Sequence, residues 1–256
     1  MALVTLITDL GTRDYYAAAI KGAIISHCEA VVPVVDVTHH VKPFDIREAA
    51  YTLRNSYKYF PKGTIHVIHV NSSDAEGRML LAKMDGHYFL TFDNGILSLA
   101  FGANPKETYE VNSEVVGGHS LLFEEAIGTV INFLLTEYKP TDFAHLTTTA
   151  RSYRLLQPMV NPTNIRGTIV YVDNYGNAIS NIPEKMFLEF TKGKRYSVMV
   201  NVGSVKQLSN TYSDVDEGDI LCLINTSGFL EIAINKGKAA NLLGLKEDSA
   251  IIVTLD

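Results

Sequence analysis

The chain of 256 residues has no tryptophan, two cysteines and no low-complexity run. Cys28 and Cys222 lie far apart without C-x-x-C spacing, which leaves reduced structural thiols rather than a disulfide framework or a redox pair. No apolar run approaches the ~18–20 residues that span a bilayer. The first residues lack a basic segment followed by a cleavable apolar stretch, so the expectation is a cytoplasmic protein with no membrane partner. Positive charge is also in short supply: 22 Lys and Arg against 28 Asp and Glu give a net charge of −6. That balance argues against a nucleic-acid partner, and "KGKR" at 192–195 is read as a solvated turn. No G-x-G-x-x-G follows the first apolar run, and there is no P-loop and no G-x-S-x-G elbow. A dinucleotide fingerprint, a nucleotide triphosphatase and a nucleophile-elbow hydrolase are thereby set aside.

What is present alternates. "ALVTLIT" (2–8) suits a strand buried on both faces, and residues 14–28 follow with near-helical apolar spacing. "AVVPVVDVTHH" (30–40) reads as a second strand, "PFDIREAAYTLRNSYKYF" (43–60) as a helix with Pro near its start. "GTIHVIHV" (63–70) is a third strand. "RMLLAKM" and "HYFLTF", separated by "DG", form a predicted hairpin, and "LLFEEAIGTVINFLLTEY" (121–138) is the clearest amphipathic helix. Strand, helix, strand, helix, strand predicts an α/β domain with a largely parallel sheet over 1–150.

Beyond residue 150 the texture changes. "GTIVYVDNYGNAISNI", "KRYSVMVNVG", "DILCLINTSGFLEIAIN" and "SAIIVTLD" are β-rich with Gly, Asn and Asp turns, and only "GKAANLLGL" looks helical. The prediction is an all-β, barrel-like domain over 165–256, reached through the proline-bearing linker 152–166.

Eight histidines invite a metal hypothesis. The best-spaced pair, His66 and His69, sits three apart in a strand and so faces opposite ways; His39 and His40 part for the same reason. No metal site is expected. The polar residues instead gather where strands end: Asp9, then Asn71 with Ser72 and Ser73, then Asp93 and Asn94. In a parallel sheet these loops crowd one edge, where open α/β folds place ligands. The β-rich half adds 172–181 and 224–229, with Phe44, Tyr175 or Phe229 as an aromatic floor. Many acceptors and few cations favour a neutral or cationic small molecule bearing sugar hydroxyls over a polyphosphate.

The stretches "TDLGTRDYY", "VVDVTHHVKPFDIREAAY", "YFPKGTIHV", "FDNGILS", "VDNYGNAISNI" and "LEIAINKGKAA" occur in an order that resembles the adenosine-forming S-adenosylmethionine (SAM) hydrolases, the family that also contains the fluorinases and chlorinases. The resemblance spans nearly the whole chain. It implies an N-terminal α/β domain, a C-terminal barrel-like domain, and a homotrimer whose site lies between one subunit's N-terminal domain and a neighbour's C-terminal domain. By the same resemblance Asp9 accepts both ribose hydroxyls, Asp14 and Asp173 lie near the methionine end, and Phe44 lies against the nucleoside. Asn94 belongs with the substrate-binding candidates. Asn177 would read the adenine edge with backbone from the Asn235–Gly237 turn, and Thr226 and Ser227 would hold the methionine carboxylate, without the arginine that the halogenases carry at the Ser227 position.

A sulfonium is already a good leaving group, so in-line attack on ribose C5′ needs positioning more than cofactors, and neither a metal nor an organic cofactor is implied. The family's hydrolases position water with an Asp, an Arg and a His. Here Arg78 matches the arginine, Asn71 replaces the aspartate, and His119 in "GGHSLLFEEA" is displaced by one residue. Asn71 can hydrogen-bond a water but cannot take its proton or neutralise Arg78. Asp74 and Glu76 are the nearby acids that could supply that charge. His119 fits the shifted catalytic histidine, the halide-contacting position, or a helix cap. Three readings follow: a SAM hydrolase, a non-catalytic SAM or adenosine binder, and an adenosyltransferase using halide or another nucleophile.

Overall fold

A computed structural model describes residues 3–75, 77–116, 123–136, 138–201 and 203–256. The chain divides into two units, one up to Leu155 and one from Leu156. In the first unit β1 (Val4–Thr8), β2 (Val34–Thr38), β3 (Ile65–His69), β4 (Met79–Met84), β5 (His87–Phe92), β6 (Glu107–Val111) and β7 (Ala144–Leu146) form one sheet in the order β2-β1-β3-β5-β4-β6-β7. The β2, β1, β3 and β5 strands run parallel. The β4, β6 and β7 strands extend the sheet with antiparallel pairs. Every residue of β1 and β3 is buried, as their unbroken apolar runs predict. The edge strand β2 is shorter and more exposed than its run of 30–40 implied. The "DG" turn forms as expected: Asp85 and Gly86 both take positive φ, the pairing a two-residue hairpin requires.

Helices cover both faces. The α1 helix (Tyr16–His27) buries Ala17, Ile20 and Ile24. It shares a cluster with Val4, Leu6, Val67, Phe92 and the buried face of α5 (Phe123–Leu135). On the other face α2 (Ile46–Ser56) and α3 (Ile96–Phe101) pack on Ile7, Ile68 and Phe89. The α2 helix starts later than its proline suggested. Asp45 is its cap and accepts from the N–H groups of Arg47 and Glu48, worth about 1 kcal/mol. A short 3-10 turn, Tyr57–Tyr59, follows it. Two four-residue turns, α4 (Ser113–Val116) and α6 (Pro140–Phe143), complete the unit.

The second unit is an antiparallel, nearly closed barrel. It comprises β8 (Met159–Val160), β9 (Asn164–Val172), β10 (Ala178–Pro183), β11 (Tyr196–Val200), β12 (Gly203–Val205), β13 (Ile220–Ile224), β14 (Phe229–Ile234) and β15 (Ala250–Leu255). The path runs β12-β11-β15-β9-β10-β14-β13, with β8 beside β9. A bridge between Leu208 and Cys222 draws its two ends together, and that closure hides edge strands. Alternate residues such as Ile165, Ile169, Ile232 and Val253 fill the interior. The main helix here is α7 (Glu184–Thr191), which burial of Phe187 anchors and which lies outside the one segment of this half that looks helical in the sequence. "GKAANLLGL" forms only the single turn α8 (Ala239–Leu242). Cys28 and Cys222 are both free thiols. Among the described residues no helix is long and apolar enough to cross a membrane.

Candidate functional site

Register places the polar loops together. Thr8 pairs with His69 and Ile68 with Thr91, so the residues after β1, β3 and β5 emerge side by side at the carboxyl edge. The β4 strand is antiparallel and begins where β5 ends, which brings Arg78 to the same edge. The connections from β1 and β2 leave toward opposite faces, the crevice geometry that open α/β sheets use for ligands.

Asp9 is the hinge of this edge. Its Oδ2 accepts the N–H of Phe44 at 2.9 Å and of Asn71 at 3.2 Å. One carboxylate oxygen thus ties the β2–α2 loop and the β3–β4 loop to the end of β1, and Oδ1 has no partner among the described residues. Both tied residues adopt left-handed backbone, Phe44 at φ 68° and Asn71 at φ 48°. That costs bulky residues of order 1–3 kcal/mol and concentrates at functional sites. Phe44 nonetheless exposes 67% of its surface. Asp14 is exposed, just before α1 and beside the packed rings of Tyr15 and Tyr16; no hydrogen bond joins it to Asp9 among the described residues.

Arg78 has two acidic partners among the described residues. Its charge is met by Asp93, through a very short contact to Nη1, and by Glu110 at 2.6 Å from Nη2. Asp93 is buried and its other oxygen accepts the Arg151 N–H at 2.7 Å. The Glu110 hydrogen bond raises the Arg78 pKa, and the guanidinium in turn lowers that of Glu110. There is no local sign of either acid in the sequence, and both lie far along the chain from Arg78. The Asp74 side chain, Glu76 and His119 lie outside the described residues. Asn94 is fully buried, its Nδ2 donating to the Val70 carbonyl at 2.8 Å and its Oδ1 accepting from the Ile96 N–H. In this structure it locks the ends of β3 and β5 and starts α3. Gly95 beside it is obligatory, because an added Cβ would lie 2.3 Å from the Tyr153 ring.

The histidine pair parts as strand geometry requires. His66 joins Tyr57 and Phe89 on one face, while His69 meets Phe92 edge-on at 5.2 Å on the other. His69 is 7% exposed, and its Nδ1 is buried without a hydrogen-bond partner among the described residues. Burial lowers its pKa against the opposing pull of its own backbone and of the Asp9 and Glu124 charges.

In the barrel the candidates form local clusters. The Asp173 carboxylate accepts the Asn177 N–H at 2.8 Å and its Nδ2 at 3.0 Å. Gly176, at positive φ, lets this turn lie against Lys238, where a Cβ would come within 2.9 Å. Asn225 Oδ1 takes the N–H groups of Ser227 and Phe229 and so shapes the β13–β14 turn, on which Thr226 is exposed. Asn235 donates to the Val215 carbonyl at 2.8 Å. Glu231, which the sequence reading passed over, is buried and accepts the Tyr212 hydroxyl at 2.8 Å. Burial raises its pKa, and the charge of Asp173 adds to that. An acid on a β-strand between Leu230 and Ile232 was the available signal.

A doubly wound α/β unit with a carboxylate-hinged edge, followed by an antiparallel barrel, defines a small-molecule-binding class of two-unit proteins. Residues 4–126 match the SAM hydroxide adenosyltransferase N-terminal domain and 167–252 match the corresponding C-terminal domain. The chain belongs to the SAM hydroxide adenosyltransferase family. It is 24% identical to the (R)-S-adenosyl-L-methionine hydrolase of Methanocaldococcus jannaschii, over 95% of this chain and 92% of that one. The enzyme of the same name from Thermus thermophilus is 25% identical, over 96% and 97%. The fluorinase of Actinopolyspora mzabensis is 24% identical, over 98% and 97%. Among solved structures, an uncharacterized conserved protein from Thermotoga maritima superposes with a TM-score of 0.86 at 25% identity, covering 98% of this chain and all 100% of that one.

Proposed function

We propose that the protein hydrolyses SAM to adenosine and L-methionine by in-line attack of water on ribose C5′. The observation that carries this reading is the Asp9 carboxylate, pinned by the N–H groups of Phe44 and Asn71 at the carboxyl edge. Pinning leaves Oδ1 to accept from a cis-diol, while the exposed Phe44 ring offers a face to the nucleoside. Relatives named SAM hydrolase over nearly the full length support the choice of substrate. The sulfonium departs as a neutral thioether, so the reaction requires no metal or organic cofactor. Holding water and C5′ in line supplies the rate, with well-oriented reactants gaining ~7–11 kcal/mol.

The working assembly in this reading is a cytoplasmic homotrimer with the site shared between subunits. Each unit offers part of the candidate residues, and each has an exposed aromatic, Phe44 at 67% and Tyr175 at 76%. Light scattering that gives a monomer at assay concentration would contradict it. A second reading, a binder without turnover, draws on Asn71 and on Arg78 being occupied by Asp93 and Glu110.

The deciding experiment is incubation of the purified protein with SAM, with and without chloride, followed by chromatography. Adenosine well above the no-enzyme control and independent of chloride is the expected result. A chloride-dependent 5′-chloro nucleoside would assign a halogenase. Intact SAM with tight binding would assign the non-catalytic reading.

A further inference from the structure

Among the described residues, hydrolysis at this edge lacks an evident proton acceptor. Asn71 has no basic atom. Arg78 is a cation, and Asp93 spends both oxygens on Arg78 and the Arg151 N–H. His39 gives Nδ1 to Thr8 at 2.9 Å and turns Nε2 toward Asp36 at 3.1 Å. His40 reaches Thr12 at 3.4 Å. Asp9 is engaged by two loops and, in the hydrolase reading, by the ribose.

Two buried histidine nitrogens lack a hydrogen-bond partner among the described residues, Nε2 of His39 and Nδ1 of His69; that of His39 faces the Asp36 carboxylate at 3.1 Å, which leaves His69. His69 is the last residue of β3, paired in register with Thr8, which precedes Asp9, and two residues before Asn71. Its Nδ1 is buried without a partner among the described residues. A buried nitrogen left without a partner is destabilising, and such a cost persists where the group has a use. Phe92 packs edge-on against the ring, and Phe123, the first residue of α5, packs on Phe92. The ring is therefore held rigidly. The charges that bear on it are Asp9 from the end of β1 and Glu124 from α5, while β5 presents the apolar Phe92.

Resting on the hydrolase reading, we propose that His69 is the general base that takes the proton of the attacking water in place of the carboxylate that Asn71 does not provide. The water oxygen forms a bond to C5′ as the C5′–S bond breaks with its electron pair on sulfur. The water proton passes to the imidazole and later to solvent, giving adenosine, methionine and H⁺ from SAM and water. Burial keeps the resting ring neutral and so free to accept a proton, and Asp9 and Glu124 steady the imidazolium once it forms.

The test measures SAM turnover and adenosine affinity for the wild-type protein, His69→Gln and His69→Gln/Asn71→Asp from about pH 5 to 9. His69→Gln is expected to lose about 100-fold or more in kcat, with KM and adenosine affinity within about twofold of wild type. The added Asp of the double variant is expected to restore at least about tenfold and to move the acid limb of kcat toward the carboxylate range. Wild-type kcat in His69→Gln, or loss of turnover in His119→Gln alone, would overturn the assignment while leaving the hydrolase reading intact. A wild-type protein that makes no adenosine removes both. Should His69→Gln not fold, the pH profiles of wild type and Asn71→Asp decide. A lowered acid limb in Asn71→Asp supports the base, and coincident profiles overturn it.

Discussion

His66 and His69 sit three residues apart on β3, and their environments are opposites. His66 faces the α2 side with every polar atom engaged: Nδ1 with Thr5 at 2.7 Å, Nε2 with His87 Nδ1 at 3.2 Å, and Phe89 stacked against it. His69 faces the α1 and α5 side at the carboxyl edge with a buried nitrogen left over. The first is a solved packing problem in the middle of a sheet. The second is an unsolved one at the edge proposed to hold the ligand. A strand can therefore carry a stabilising imidazole and a reactive one of nearly equal burial, distinguished by which residues meet them.

The largest effect short of removing the base itself falls on Arg78. Arg78→Ala leaves the 1%-exposed Asp93 without its cation. The cost is about 3 kcal/mol, at the low end for broken buried pairs because the guanidinium is partly exposed. Urea midpoints measure it; a loss of turnover with unchanged stability would instead place Arg78 on the reacting water. Next comes His66→Phe, which strands the Thr5 hydroxyl and a His87 nitrogen, at about 2 kcal/mol, and leaves the acid limb of turnover unmoved.

The same pair makes a pH prediction. Burial pushes the His66 pKa down to about 3, with the adjacent His87 adding to the shift, and burial also lowers His87. Folded-state values below the unfolded value of about 6.5 mean that the contribution to stability is intact above that pH and lost as pH falls toward about 3. His66→Phe should flatten this slope in acid titrations followed by circular dichroism, and an unchanged slope would assign the acid lability elsewhere, His69 included. The smallest effect is at the loop: Phe44→Gly should gain about 1 kcal/mol by relieving a positive φ while weakening SAM binding. A gain without weaker binding would show that the ring does not meet the nucleoside.

Much of this was legible before any coordinates. Unbroken apolar runs announced β1 and β3, the "DG" pair fixed the β4–β5 turn, and polar residues at the ends of successive runs located the carboxyl edge. Strand parity separated His66 from His69. Partners that close across the sheet were not legible: Asp93 and Glu110 reach Arg78 from 15 and 32 residues away, and only the strand order β5-β4-β6 brings them together. The internal bonds of Asn94 were not legible either, because a polar residue after a strand gives no hint that its amide meets Val70 and Ile96. The α7 helix was missed because its short apolar spacing gains its meaning from Phe187 docking on a barrel that the local sequence does not display.

The central claim is that the Asp9 edge holds a nucleoside, and calorimetric titration of adenosine into the wild-type protein and Asp9→Asn tests it most directly. Asparagine keeps an oxygen for the Phe44 and Asn71 N–H groups but removes the charge. The account predicts at least about tenfold weaker binding by the variant, in line with the loss of one charge-assisted hydrogen bond. Equal affinity in the two proteins would contradict it.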